Sequence, residues 1–194
     1  MSNHRIWETK CDFFKRSYNH KMKLLLLSGN SISNKKWIEE VGQILNPLFD
    51  EIKIHYYKHW ETGEEIIDLD SELSTLTAEI NEWKDYMIFA KSAGCLLTLK
   101  GIYEKKIHPL KCVFVGAAID WGKERQFLVG DWLKNYNTTT FFIQKTNDPV
   151  ISFKNLKKIL EDLDVKNYSL KEIPGNDHNY LDLEFLRQVI ENFK

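Results

Sequence analysis

Asp85-Tyr86-Met87-Ile88-Phe89-Ala90-Lys91-Ser92-Ala93-Gly94-Cys95-Leu96-Leu97 is the stretch on which the fold turns. A continuous apolar run leads into a serine flanked by small residues, and an apolar helical pattern begins at once. That is the form of a nucleophile elbow, a sharp strand-to-helix turn that holds a serine hydroxyl above the end of a sheet. Ala90 and Gly94, on either side of Ser92, must be small because such a turn brings neighbouring backbone close. As an alternative, a serine just before a helix is also a favoured N-cap.

Outward from this turn, apolar runs alternate with helical patterns. Lys23–Ser28 reads as a buried strand, followed by the Ser/Asn-rich loop 28–34. A helix then carries Trp37, Val41, Ile44, Leu45 and Leu48, with Pro47 helping to stop it. Glu51–Tyr57 is the second strand. Over Glu65–Trp83, Ile66, Leu69, Leu73, Leu76, Ile80 and Trp83 recur at steps of three and four, which predicts one amphipathic helix. Strand Asp85–Ala90 and helix Gly94–Glu104 follow, then strand Lys111–Ala117 and strand Thr138–Gln144. A helix carries Phe153, Leu156, Ile159, Leu160 and Leu163, and Lys166–Ile173 and Leu181–Phe193 are the last strand and helix. Strands joined by helix-length connections cannot be hairpins, so a mostly parallel six-stranded sheet covered on both faces is expected. Between the fourth and fifth strands, residues 119–137 read as a crossover helix or a small lid.

The chain has 194 residues, 43% of them hydrophobic and 13% aromatic, which suits one packed domain. With 27 basic and 28 acidic residues the net charge is −1. No electrostatic case for nucleic acid or an anionic membrane surface follows. Cys11, Cys95 and Cys112 are odd in number and lack metal-site spacing, which fits a reducing compartment. A cytoplasmic protein is expected, with no metal and no cofactor. Residues 1–21 are broken by charges and read as an extension outside the core, with Met22 a possible native start and the domain running over 22–194.

Ligands in an open parallel sheet bind beyond the carboxyl ends of the strands. There the sequence sets Ser28–Asn34, then Lys58-His59-Trp60, then Ser92, Thr146-Asn147-Asp148-Pro149 and Gly175-Asn176-Asp177-His178. Serine, aspartate and histidine, each after a strand, follow the chain order of a known catalytic triad. Asp177 competes with Asp148 for the acid, but its adjacency to His178 suits it badly to orient that ring. His59 and Trp60 are candidates for lining a substrate pocket, as is Trp121. Each has a plainer reading as a packed loop or helix residue.

From Met22 onward the chain resembles a small single-domain α/β-hydrolase of the serine-hydrolase type. Ala90-Lys91-Ser92-Ala93-Gly94 carries the resemblance, with alanine in place of the first glycine of Gly-x-Ser-x-Gly. The resemblance implies a three-layer α/β fold lacking the family's first strands. It also implies Ser92 as nucleophile, Asp148 as triad acid and His178 as base. The backbone N–H groups of Ala93 and Asn30 would form the oxyanion hole, with Ser28-Gly29 standing where the family has His-Gly. The expected reaction is hydrolysis of a small-molecule ester or thioester. A catalytically silent, hydrolase-shaped binding domain is one alternative. A flavodoxin-like phosphate cradle at the loop after the first strand is another, though that loop holds a single glycine.

Overall fold

A computed structural model describes residues 22–194, so the expectations on residues 1–21, Cys11 included, lie outside the described residues. Six parallel strands form one sheet: β1 (Lys23–Leu27), β2 (Glu51–Ile54), β3 (Tyr86–Lys91), β4 (Lys111–Val115), β5 (Thr139–Lys145) and β6 (Tyr168–Ile173). Their spatial order is β2-β1-β3-β4-β5-β6. Every pairing is parallel, with Leu26 beside Phe89 and Phe89 beside Val113.

The central strands read as unbroken apolar runs because both faces of the sheet are covered. Alternate residues feed two cores. Leu25, Leu27, Ile88, Ala90, Cys112 and Phe114 face one helical layer. It holds α3 (Leu69–Glu79), α4 (Ala93–Tyr103) and α7 (Phe153–Asp162). Leu24, Leu26, Met87, Phe89, Val113 and Val115 face the other layer, made of α1 (Asn34–Leu45) and α8 (Leu183–Phe193). Leu24 to Leu27 are fully buried, and each such leucine contributes about 2 kcal/mol of burial.

The chain leaves β1 for β2 on one side, then crosses back to add β3 to β6 on the other. The connections after β1 and β3 therefore run to opposite faces, and a crevice opens where they part. The loop at Ser28 and the turn at Ser92 border it.

Two local readings need correction. The helix expected over Glu65–Trp83 spans only Leu69–Glu79, because the Asp68 side chain accepts from the N–H groups of Asp70 and Ser71 and starts it there. Ile66 is accordingly exposed, and Ile67 is buried in its place. Strand β2 ends at Ile54, short of Tyr57, and a one-turn helix α2 (His59–Thr62) follows it. Residues 119–137 form two short helices, α5 (Ile119–Glu124) and α6 (Val129–Leu133). Val129, Trp132 and Leu133 are buried in the same core as α4, so this connection is a packed crossover. No helix among the described residues is long and apolar enough to cross a membrane.

Between β2 and α3 lies a buried polar cluster. His55 Nδ1 meets Glu79 Oε2 at 2.9 Å and its Nε2 meets Glu72 Oε2 at 2.9 Å. The backbone N–H of Lys58 donates to the other oxygen of Glu72 at 2.7 Å. Burial disfavours the imidazolium, but hydrogen bonds to Glu72 and Glu79 and their charges outweigh burial and raise the His55 pKa above its ordinary 6.5. A raised folded-state value means stability that is fully present below the unfolded value and is lost as pH rises through the folded one. Chemical denaturation at pH 5.5 to 9 should therefore show wild type losing stability with rising pH more steeply than His55→Gln. Parallel pH profiles for the two proteins would contradict a charged His55.

Candidate active site

Ser92 joins β3 to α4 with φ 54° and ψ −115°. A side chain with a Cβ meets steric strain in this region, of order 1–3 kcal/mol. The serine makes no side-chain capping bond to the helix it precedes, so the N-cap alternative has no hydrogen bond behind it. Its own backbone N–H donates to the Val115 carbonyl at 3.0 Å, tying the turn to β4. The turn presses on β1 as well. The N–H of Gly94 donates to the Ser28 carbonyl at 2.9 Å, and a Cβ on Gly94 would stand 2.8 Å from that oxygen. Glycine is required at 94 by this contact.

Asp148 follows β5 and His178 follows β6. His178 Nδ1 lies 2.9 and 2.8 Å from the two oxygens of Asp148. An ionised carboxylate only accepts, so Nδ1 carries the proton and Nε2 is left as the ring's acceptor. That Nε2 is buried and has no partner among the described residues. Asp177, the rival acid, is engaged elsewhere: both its oxygens accept from Lys145 Nζ, at 2.9 and 3.0 Å.

Asp148 is 3% exposed. Besides the ring of His178 it accepts from Tyr180 Oη at 2.7 Å and from the N–H of Val150 at 2.9 Å. Burial pushes its pKa up, but the bonds from His178, Tyr180 and Val150 outweigh burial and hold the carboxyl below its usual value. Tyr180 was not legible as a site residue. Its hydroxyl also accepts from the Lys145 N–H at 3.2 Å, and its carbonyl accepts from Trp37 Nε1 at 2.8 Å.

Gly116, after β4, brings the two halves of the site together. Its φ is +57°, and a Cβ there would stand 2.6 Å from the Tyr180 ring and 2.9 Å from His178 Cε1. The preceding residue, Val115, holds the Ser92 N–H. Ser92 and His178 thus flank one dipeptide, Val115-Gly116, although no hydrogen bond joins them among the described residues. Catalytic contacts are often long before substrate binds.

The N–H groups of Ala93 and Asn30 have no partner among the described residues. A Cβ built on Gly29, beside Asn30, would lie 3.3 Å from Ser92 Cβ. The N–H groups that a phosphate cradle would use at Asn34 and Lys35 are instead bonded to the Ser31 and Ile32 carbonyls. Lys91 is 5% exposed and donates to Asn34 Oδ1 at 2.6 Å. Burial lowers its pKa to about 8, against the pull of the Asp148 charge.

The three pocket candidates separate. His59 and Trp60 border a cavity of about 370 Å³ that also touches Asn30, Ile32 and Glu64. Trp121 packs edge-on against Phe127 at 6.1 Å and under Arg125 at 4.0 Å. Among the described residues no group of three or more His, Cys, Asp or Glu side chains is placed to hold a metal ion.

No protein-family model matches this sequence, and neither does any curated protein. Solved structures do match. The chain resembles Est1E from Butyrivibrio proteoclasticus at TM-score 0.67 and 14% identity, over 89% of this chain and 86% of that one. It resembles a monoacylglycerol lipase from Paleococcus ferrophilus at TM-score 0.59 and 11% identity, over 88% and 93% of the two chains. It also resembles the N-formylmaleamic acid deformylase Nfo from Pseudomonas putida S16 at TM-score 0.64 and 10% identity, over 87% and 92%. The chain has the α/β-hydrolase fold.

The strain at Ser92 can be measured. Glycine tolerates this φ and ψ and alanine does not, so Ser92→Gly should be more stable than Ser92→Ala by about 1 kcal/mol. Urea midpoints at an unchanged m-value check this, and equal midpoints would contradict a strained turn.

Proposed function

We propose that the protein is a serine hydrolase that cleaves a carboxylic ester or thioester of a small molecule through an acyl-enzyme on Ser92. The observation that carries this reading is the uncapped serine in a strained turn, set across Val115-Gly116 from a histidine paired with a buried carboxylate. A serine that only capped a helix would need neither the strain nor that neighbour.

In the proposed cycle Ser92 Oγ attacks the acyl carbon while His178 Nε2 takes the hydroxyl proton. Asp148 holds the ring tautomer and stabilises the imidazolium, and Tyr180 and Val150 hold Asp148. The oxyanion of the tetrahedral intermediate is received by the N–H groups of Ala93 and Asn30, each worth on the order of 3 kcal/mol of barrier. His178 then gives its proton to the departing alkoxide or thiolate as the bond from the acyl carbon to the leaving group breaks. Water, deprotonated by the same ring, attacks the acyl-enzyme and releases the carboxylic acid and free Ser92. The serine proton thus leaves with the alcohol or thiol. A proton from water, passed through His178 to Ser92 Oγ as the second tetrahedral intermediate breaks, restores the hydroxyl, so the cycle balances with water as the one co-reactant. Carboxylesterase-type activity is the simplest member of this class.

Turnover of p-nitrophenyl acetate and butyrate tests the reading. Ser92→Ala and His178→Ala should each lower kcat by at least about 10³-fold. Tyr180→Phe should leave the pair intact but remove one bond to Asp148, lowering kcat by about tenfold. Wild-type rates in Ser92→Ala or His178→Ala would overturn the assignment.

A further inference from the structure

The loop between β1 and α1 is braced by aromatic residues that no step of the proposed cycle uses. The Asn30 carbonyl accepts from His59 Nε2 at 2.7 Å and from Trp60 Nε1 at 2.7 Å. Both lone pairs of that oxygen are thereby filled. The Asn30 side chain is held as well. Its Nδ2 donates to the Glu65 carbonyl at 2.8 Å, and its Oδ1 accepts from the Ile67 N–H at 2.8 Å. Two residues back, the Ser28 carbonyl accepts from Tyr57 Oη at 2.8 Å and from the Gly94 N–H at 2.9 Å. Tyr57 in turn packs on both brace residues, stacked on His59 at 5.6 Å and edge-on to Trp60 at 5.0 Å.

Buried ring N–H groups need acceptors, and that need alone would explain one such bond. It does not explain why both donors choose the same carbonyl. Nor does it explain why every polar group of Asn30 is bonded within the protein except its backbone N–H. We infer that His59 and Trp60, both on α2, are positioning residues that fix Asn30 so that its N–H points to the oxyanion. This rests on the proposed serine-hydrolase reading. A donor preset in this way needs no reorganisation as charge develops, so its loss is felt in the transition state and not in substrate binding.

The test compares Trp60→Phe, His59→Leu and His59→Gln with wild type on p-nitrophenyl acetate, with competent sites counted by fluorophosphonate titration. Trp60→Phe keeps the ring packing and removes the N–H. Gln places an N–H donor close to the position of His Nε2, whereas Leu has none. Per titrated site, Trp60→Phe and His59→Leu should lower kcat about tenfold with KM within about twofold, and His59→Gln should recover most of the loss. Should His59→Leu not fold, the Trp60→Phe comparison decides alone. Unchanged kcat per site in Trp60→Phe, or a loss confined to KM, overturns the brace while leaving the hydrolase reading standing. A wild type that neither turns over ester nor takes up the fluorophosphonate overturns that reading, and the brace with it.

Discussion

The backbone at Ser92 is the constraint on which the rest of the site depends. A residue at φ 54° and ψ −115° returns to ordinary conformations unless neighbours hold it. Two hydrogen bonds do so from opposite sides, Ser92 N–H to Val115 on β4 and Gly94 N–H to Ser28 just after β1. Both acceptors exist only because β1, β3 and β4 are adjacent and parallel in one sheet. The sheet order thus sets the strain, and the buried leucines and valines of the three strands stabilise the order. Removal of any one strand would release the turn.

The polar network is layered on this frame in the same way. Asp148 is buried, which is costly for a carboxylate, and the bonds from His178, Tyr180 and Val150 offset the cost. Tyr180 is held by Trp37 from α1 and packs on Gly116, just after β4. Asn30 is held by α2 and the chain before α3. Each proposed reacting group is therefore oriented by an element other than its own, which is how a loop-borne site acquires the rigidity of the scaffold.

Much of the fold was readable because its signals are local. The apolar runs of β1, β3 and β4 reflect burial on both faces, and Ala90-Lys91-Ser92-Ala93-Gly94 reflects a turn too tight for larger side chains. Periodicity starts the helix before β3 four residues too early because it reports a buried stripe, whereas the Asp68 cap decides the start. The pairing of His178 with Asp148 and not Asp177 follows from loop positions after β5 and β6, and the choice rested on a steric argument about adjacent residues. Tyr180 left no trace, since a tyrosine two residues beyond a histidine has no periodic or motif meaning until the loop folds back on Gly116. The sequence marks His59 and Trp60 only as candidate pocket walls. Their donation to Asn30, some thirty positions earlier, depends on tertiary contacts that spacing does not encode.

Intact mass spectrometry after exposure to a fluorophosphonate, on wild type, Ser92→Ala and His178→Ala, tests the central claim most directly. An activated Ser92 predicts one adduct on wild type, none on Ser92→Ala and strongly slowed labelling of His178→Ala. A folded wild type that stays unlabelled, or an adduct that persists in Ser92→Ala, would contradict it.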